Sequence, residues 1–239
     1  MFNNDIQKWA RYIAAQIVRP LANLGISPNT FTLIGLLLSL VTALVIGKGF
    51  FFVGGLLVLF TGIFDLFDGA TARVRNLATT FGAFFDSTLD RYSEAITLSG
   101  LLFYALFHPT MQVGFWITGS VQIWMIVLIY ISIVGSLMVS YTKARAEGLG
   151  IECKTGMLAR PERVVVLATG LLFGITVTMW AVALLAVFSN LTAIERMIAV
   201  FKATQQQDAL ATQQLQQQQS QKIALDIDTP STSPSEKTQ

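Results

Sequence analysis

Residues 65–90 read DLFDGATARVRNLATTFGAFFDSTLD, and four aspartates out of the chain's 14 acidic residues fall in this one segment. Asp65 and Asp68 are three apart and share a helix face; Asp86 and Asp90, four apart, share a face of the next helix. The segment links two long apolar runs, so each pair sits where a helix meets water. Two antiparallel helices joined by the 74–82 turn would bring the pairs together around one or two hard cations such as Mg²⁺. Unpaired carboxylates at a membrane boundary repel one another, and a metal removes that cost. The competing reading, surface caps and salt bridges to Arg73, Arg75 and Arg91, is disfavoured because no lysine lies among the four aspartates.

The rest of the chain sets this segment in a membrane. Of 239 residues 53% are hydrophobic and 13% charged, with mean hydropathy +0.60. A soluble domain carries about twice that charged fraction. The expectation is an all-α, polytopic integral membrane protein with six transmembrane helices, at about 31–47, 50–73, 83–107, 116–143, 161–178 and 180–201. The last two would turn at Met179 and Trp180. Residues 1–25 read as an N-terminal interfacial amphipathic helix, with Ile6, Trp9, Ile13 and Ile17 at helical spacing; a plain solvated helix is the alternative. The membrane domain is placed at 26–203, and the Gln-rich stretch 204–239 as a helical extension fading into a disordered tail.

Lys8, Arg11, Arg19, Arg73, Arg75, Lys143, Arg145, Lys154, Arg160, Arg163, Arg196 and Lys202 all fall on one side of a six-span chain, and only Lys48 on the other. The positive-inside rule therefore puts both termini and the acidic cluster in the cytoplasm. A net charge of +2 without a basic stripe speaks against a nucleic-acid partner. The single cysteine, Cys153, excludes an intrachain disulfide and a cysteine metal site. His108 falls in an opposite-side connection. No Ser–His or Cys–His pair is available for covalent catalysis.

The small residues agree with a phosphate site. Gly69 removes a side chain where a phosphate must approach the helix. Ala72, two turns after Asp65, keeps that face open. Gly82 allows close packing, and Arg73 can grip phosphate with two hydrogen bonds. The resulting pattern D-x2-D-G-x2-A-R-x8-G-x3-D-x3-D (Asp65, Asp68, Gly69, Ala72, Arg73, Gly82, Asp86, Asp90) resembles the signature of the CDP-alcohol phosphotransferase family at every position. That resemblance implies two Mg²⁺ ions (Mn²⁺ being the alternative), with Asp65 and Asp86 bridging, Asp68 on one ion and Asp90 on the other. It also implies that Asp90 is the general base. Gly69, Arg73, Thr79 and the Asn29–Thr32 segment would contact the CDP moiety. Locally, Asn29 and Thr32 are equally consistent with helix N-caps.

A second cluster, SYTKARAEGLG (140–150) and GMLARPERV (156–164), addresses the acceptor. Ordinary positive-inside flanks are the bland reading; Glu147 and Glu162, placed to hold some of the arginines, favour a pocket. The two segments resemble the inositol phosphate-using branch of the family. This implies that Ser140, Lys143, Arg160, Arg163 and Arg196 bind the acceptor's phosphate, with Arg145 structural. The expected reaction transfers a phosphatidyl group from CDP-diacylglycerol to inositol phosphate and releases CMP. Glycerol 3-phosphate is the alternative acceptor, and a cation transporter the reading from a different class. The family resemblance also suggests a homodimer.

Overall fold

The computed structural model describes residues 27–74, 79–108, 120–153, 155–156, 158 and 160–228, with 64–74 and 220–228 described as helix without their side chains. The expected N-terminal amphipathic helix lies outside these residues. Six helices, and no strand, occur among the described residues: α1 (Pro28–Gly47), α2 (Phe51–Val74), α3 (Thr80–Phe107), α4 (Ser120–Gly148), α5 (Arg160–Leu172) and α6 (Ile175–Asp228). The all-α expectation is met. Of these, α1, α4 and α6 contain segments long and apolar enough to cross a membrane, and α2 contributes the shorter apolar stretch Phe51–Ile63.

Capping sets two of the helix starts that matter here. Ser27 caps α1, its Oγ accepting from the Thr30 amide at 3.3 Å, and Pro28 occupies the first turn. Asn29 and Thr32 therefore lie inside the helix and are not its N-cap. Thr79 caps α3, its Oγ1 accepting from the Gly82 amide at 2.9 Å.

Helix α3 packs against α1 and α4, α2 against α1 and α5, and α6 against α4 and α5. The shared core holds Ile46, Leu98, Leu101, Met125, Ile129, Leu171 and Val182, all essentially inaccessible. Between apolar helices in lipid, close van der Waals approach supplies what the hydrophobic effect does not. Gly100 shows this at the α1–α3 crossing, where a Cβ would stand 2.5 Å from the Ala43 carbonyl oxygen. Outward, α4 and α6 present apolar stripes at helical spacing. On α6 the stripe runs through Val177, Trp180, Leu184, Val187, Leu191, Ile194, Ile198 and Phe201, all exposed. In water such a face would need a partner; in a bilayer, lipid supplies one.

Two boundaries differ from the sequence expectation. The turn between the last two helices falls at Phe173–Gly174, so Met179 and Trp180 lie within α6. Gly174 takes φ +92°, which only glycine adopts without strain, and that fixes the break six residues early. Helix α5 is consequently only 13 residues, about 20 Å at 1.5 Å per residue. Helix α6 runs 54 residues without interruption, so the helical extension read beyond Lys202 is described as far as Asp228. Its length of ~80 Å is well over twice the ~30 Å hydrocarbon core.

Candidate active site

Three groups of sequence-selected residues can be located. The first gathers at the starts of α1 and α3. A Cβ added to Gly82 would meet Thr79 Oγ1 at 2.9 Å and Asn29 Oδ1 at 3.4 Å, so the two helix starts abut through the space glycine leaves. Asn29 and Thr79, read as CDP contacts, thus come together across Gly82 at one end of the bundle. Thr32 lies one turn deeper and is buried.

The second group is the acidic face. Asp65, Asp68, Gly69, Ala72 and Arg73 fall in the closing turns of α2, where helix is described but side chains are not. Asp86 and Asp90 lie in the opening turns of α3, both half-buried. Asp86 forms no ion pair with another described residue. Asp90 Oδ2 lies 2.5 Å from Arg160 Nη1 and 4.0 Å from Arg91 Nη1. Arg91 turns its guanidinium back on α3 to donate to the Ser87 carbonyl. Among the described residues no three His, Cys, Asp or Glu side chains converge, two of the four aspartates being in the stretch without side chains. The donor chemistry present nevertheless suits a hard cation: two carboxylates one turn apart, with no thiol or imidazole beside them.

The third group, the basic cluster, divides. Arg160, the first residue of α5, faces Asp90 as described. Arg163, expected at the acceptor phosphate, is 2% exposed and pairs with Glu94: Nε donates to Oε1 at 2.7 Å and Nη2 to Oε2 at 3.0 Å, while Nη1 donates to the Leu158 carbonyl at 3.2 Å. Arg196 is likewise buried, donating from Nε to the Thr155 carbonyl at 2.9 Å and from Nη1 to the Val139 carbonyl at 2.5 Å. It ties the connection before α5 to α4 and α6. Lys143 is half-exposed and pairs with Glu147 at 3.7 Å, so Glu147 holds the lysine and not an arginine. Ser140 is half-buried and Arg145 exposed on the last turns of α4.

Outside the cluster, Cys153 is buried with its Sγ 3.7 Å from Thr155 Oγ1, and His108 stacks on Tyr104 at the far end of α3. Neither approaches the acidic face in sequence or along its helix.

Glu94 is the residue that sequence reading missed. It lies one turn beyond Asp90, which extends the i, i+4 acidic series by a third member, and that spacing was the available signal. Glu94, Arg160 and Arg163 also line a cavity of about 50 Å³ with Ser93, Thr97 and Thr61, between α2, α3 and α5.

This helical bundle, with paired carboxylates on one helix opposite an arginine on another, carries a sequence that belongs to a known enzyme family. Residues 25–205 match the model of the CDP-alcohol phosphatidyltransferases, and the chain is a member of that enzyme family. It is 35% identical over 204 residues to the phosphatidylinositol phosphate synthase of Mycobacteroides abscessus, covering 80% of this chain and 86% of that protein. To the archaetidylinositol phosphate synthase of Methanothermobacter thermautotrophicus it is 33% identical over 205 residues, covering 84% of this chain and 96% of the relative. The fold resembles that of the phosphatidylinositol phosphate synthase of Mycobacterium tuberculosis solved with CDP-DAG bound, at TM-score 0.69 and 33% identity, over 80% of this chain and 94% of that one. The same enzyme in complex with manganese and citrate gives TM-score 0.68, over 79% and 88% of the two chains.

Proposed function

We propose that this enzyme transfers the phosphatidyl group of CDP-diacylglycerol to a hydroxyl of inositol phosphate, releasing CMP and forming phosphatidylinositol phosphate. The observation that carries the reading is the opposition of Asp90 on α3 to Arg160 on α5 at 2.5 Å. One is a base next to a second carboxylate; the other is a guanidinium suited to phosphate. The relatives named above are synthases of phosphatidylinositol phosphate and archaetidylinositol phosphate, which favours inositol phosphate as the acceptor here.

Asp65, Asp68, Asp86 and Asp90 would hold two divalent ions, Mg²⁺ or in its place Mn²⁺. Bound there, the ions supply charge neutralisation at the donor's pyrophosphate and Lewis acidity for the leaving CMP. The protein's own contributions are binding and proton handling. Asn29, Thr79 and Gly82, with Gly69, Ala72 and Arg73 of α2, form the CDP side of the site. Arg160, with Ser140 and Lys143, forms the acceptor side. Binding of the acceptor phosphate draws Arg160 off Asp90 and leaves that carboxylate to accept the hydroxyl proton. The acceptor oxygen then bonds to the β-phosphorus, the bond from that phosphorus to the bridging oxygen breaks, and CMP departs with Arg73 against its phosphate.

Six membrane crossings, with α5 the shortest, put both termini and the site on the cytoplasmic side of the cell membrane, and a homodimer is the assembly. The experiment for the substrate is CMP release from CDP-diacylglycerol against a panel of acceptors. Inositol phosphate should be turned over at least about tenfold more efficiently than glycerol 3-phosphate or free inositol. Preference for glycerol 3-phosphate would reassign the acceptor.

A further inference from the structure

Asp90 and Glu94 are one turn apart on α3, and Arg160 and Arg163 are one turn apart at the start of α5. Their side chains make two parallel rungs, Asp90–Arg160 and Glu94–Arg163. The rungs differ in kind. The Asp90–Arg160 rung, 2.5 Å between Oδ2 and Nη1, joins side chains 13% and 27% exposed. The Glu94–Arg163 rung is bidentate, between side chains 14% and 2% exposed, with the third arginine nitrogen on the Leu158 carbonyl. Leu158 is held again from the other side, its amide donating to Thr192 Oγ1 at 3.3 Å.

A buried ion pair is a poor way to gain stability, because desolvating both charges offsets most of their attraction; apolar side chains of the same volume hold two helices as well. What the bidentate pair adds is direction: a planar fork on a carboxylate fixes register and angle in a way apolar packing does not. Here the pair ties the first turn of α5 to α3, although α5 packs mainly on α2 and α6, and the chain end it holds is the one that delivers Arg160, the first helical residue.

We propose that Glu94 is a positioning residue for the acceptor site. Acting through Arg163, it sets the first turn of α5 so that Arg160 stands opposite Asp90, where the acceptor's phosphate and its reacting hydroxyl must both fit. The inference rests on the reading of Arg160 as a phosphate ligand given above.

The test uses the full-length protein in nanodiscs, with thermal melting and CMP-release kinetics measured while donor and acceptor are varied separately. Glu94→Leu/Arg163→Met removes both buried charges together and is expected to melt close to wild type. Its acceptor KM should rise by about tenfold or more, with the donor KM within about twofold. Glu94→Asp keeps the charge but shortens the reach. It should show the same split at smaller size, and supplies the readout if the double variant does not fold. Wild-type acceptor KM in a folded double variant overturns the proposal, as does an equal rise in both KM values in either variant. A wild-type enzyme inert towards every phosphorylated alcohol sinks the acceptor reading itself, and this inference with it.

Discussion

The two charged halves of the site, the aspartate face of α2 and α3 and the basic cluster of residues 140–163, look alike as sequence and differ as structure. On the acidic side the helical spacing alone fixes which carboxylates share a face, and Asp86 is left without an ion-pair partner among the described residues. On the basic side most charges are already engaged. Arg163 is taken up by Glu94, Arg196 by two carbonyls and Lys143 by Glu147. Charge count is therefore a poor guide to charge available for a ligand. A carboxylate array repels itself and needs an outside cation, whereas scattered arginines find carbonyls and carboxylates within the fold.

That contrast can be broken at several points. The largest effect is expected for Asp90→Asn, which removes base and metal ligand together. CMP release should fall by about a thousandfold or more, with melting of the protein little changed, as read by single-turnover assay and calorimetry. Retained turnover would show that the acidic face is not the reacting half. Next comes Arg160→Gln, since Arg160 is the arginine that faces Asp90. The acceptor KM should rise by about ten- to a hundredfold with a much smaller change in donor KM.

Lys143→Gln sharpens the division further. An exposed i, i+4 pair with Glu147 contributes little to stability, about 0–1 kcal/mol. A loss in acceptor affinity without a loss of melting temperature would therefore mark Lys143 as a ligand, and about threefold is the size expected for one solvent-screened charge. The smallest effect should follow truncation after Ala203, which removes the half-buried Thr204, helix exposed over 205–210 and 212–219, and the residues beyond. Activity and melting within about twofold of the full chain are expected.

The difference between the halves also explains what sequence could and could not reveal. Apolar run length located α1 to α4 to within about five residues at either end. Periodicity set Asp65 with Asp68 and Asp86 with Asp90 on common faces before any fold was known. It did not reveal that Arg163 turns inward, because its partner Glu94 is 69 residues away in sequence. Nor did it locate the α5–α6 break. Hydropathy is continuous across 161–201, and the turn depends on one left-handed glycine, Gly174. The helical run to Asp228 agrees with the extension read from sequence: a Gln-rich stretch lacks an apolar face, yet glutamine is a good helix former and continues a helix already nucleated.

The central claim is that the metal-binding face and the acceptor arginine serve one reaction. Its most direct test is CMP release from CDP-diacylglycerol by the purified enzyme, with divalent metal and inositol phosphate each present or withheld. The account predicts release only when both are present, with EDTA abolishing it and Mg²⁺ or Mn²⁺ restoring it. Release that persists without the acceptor, or that is indifferent to EDTA, would contradict it.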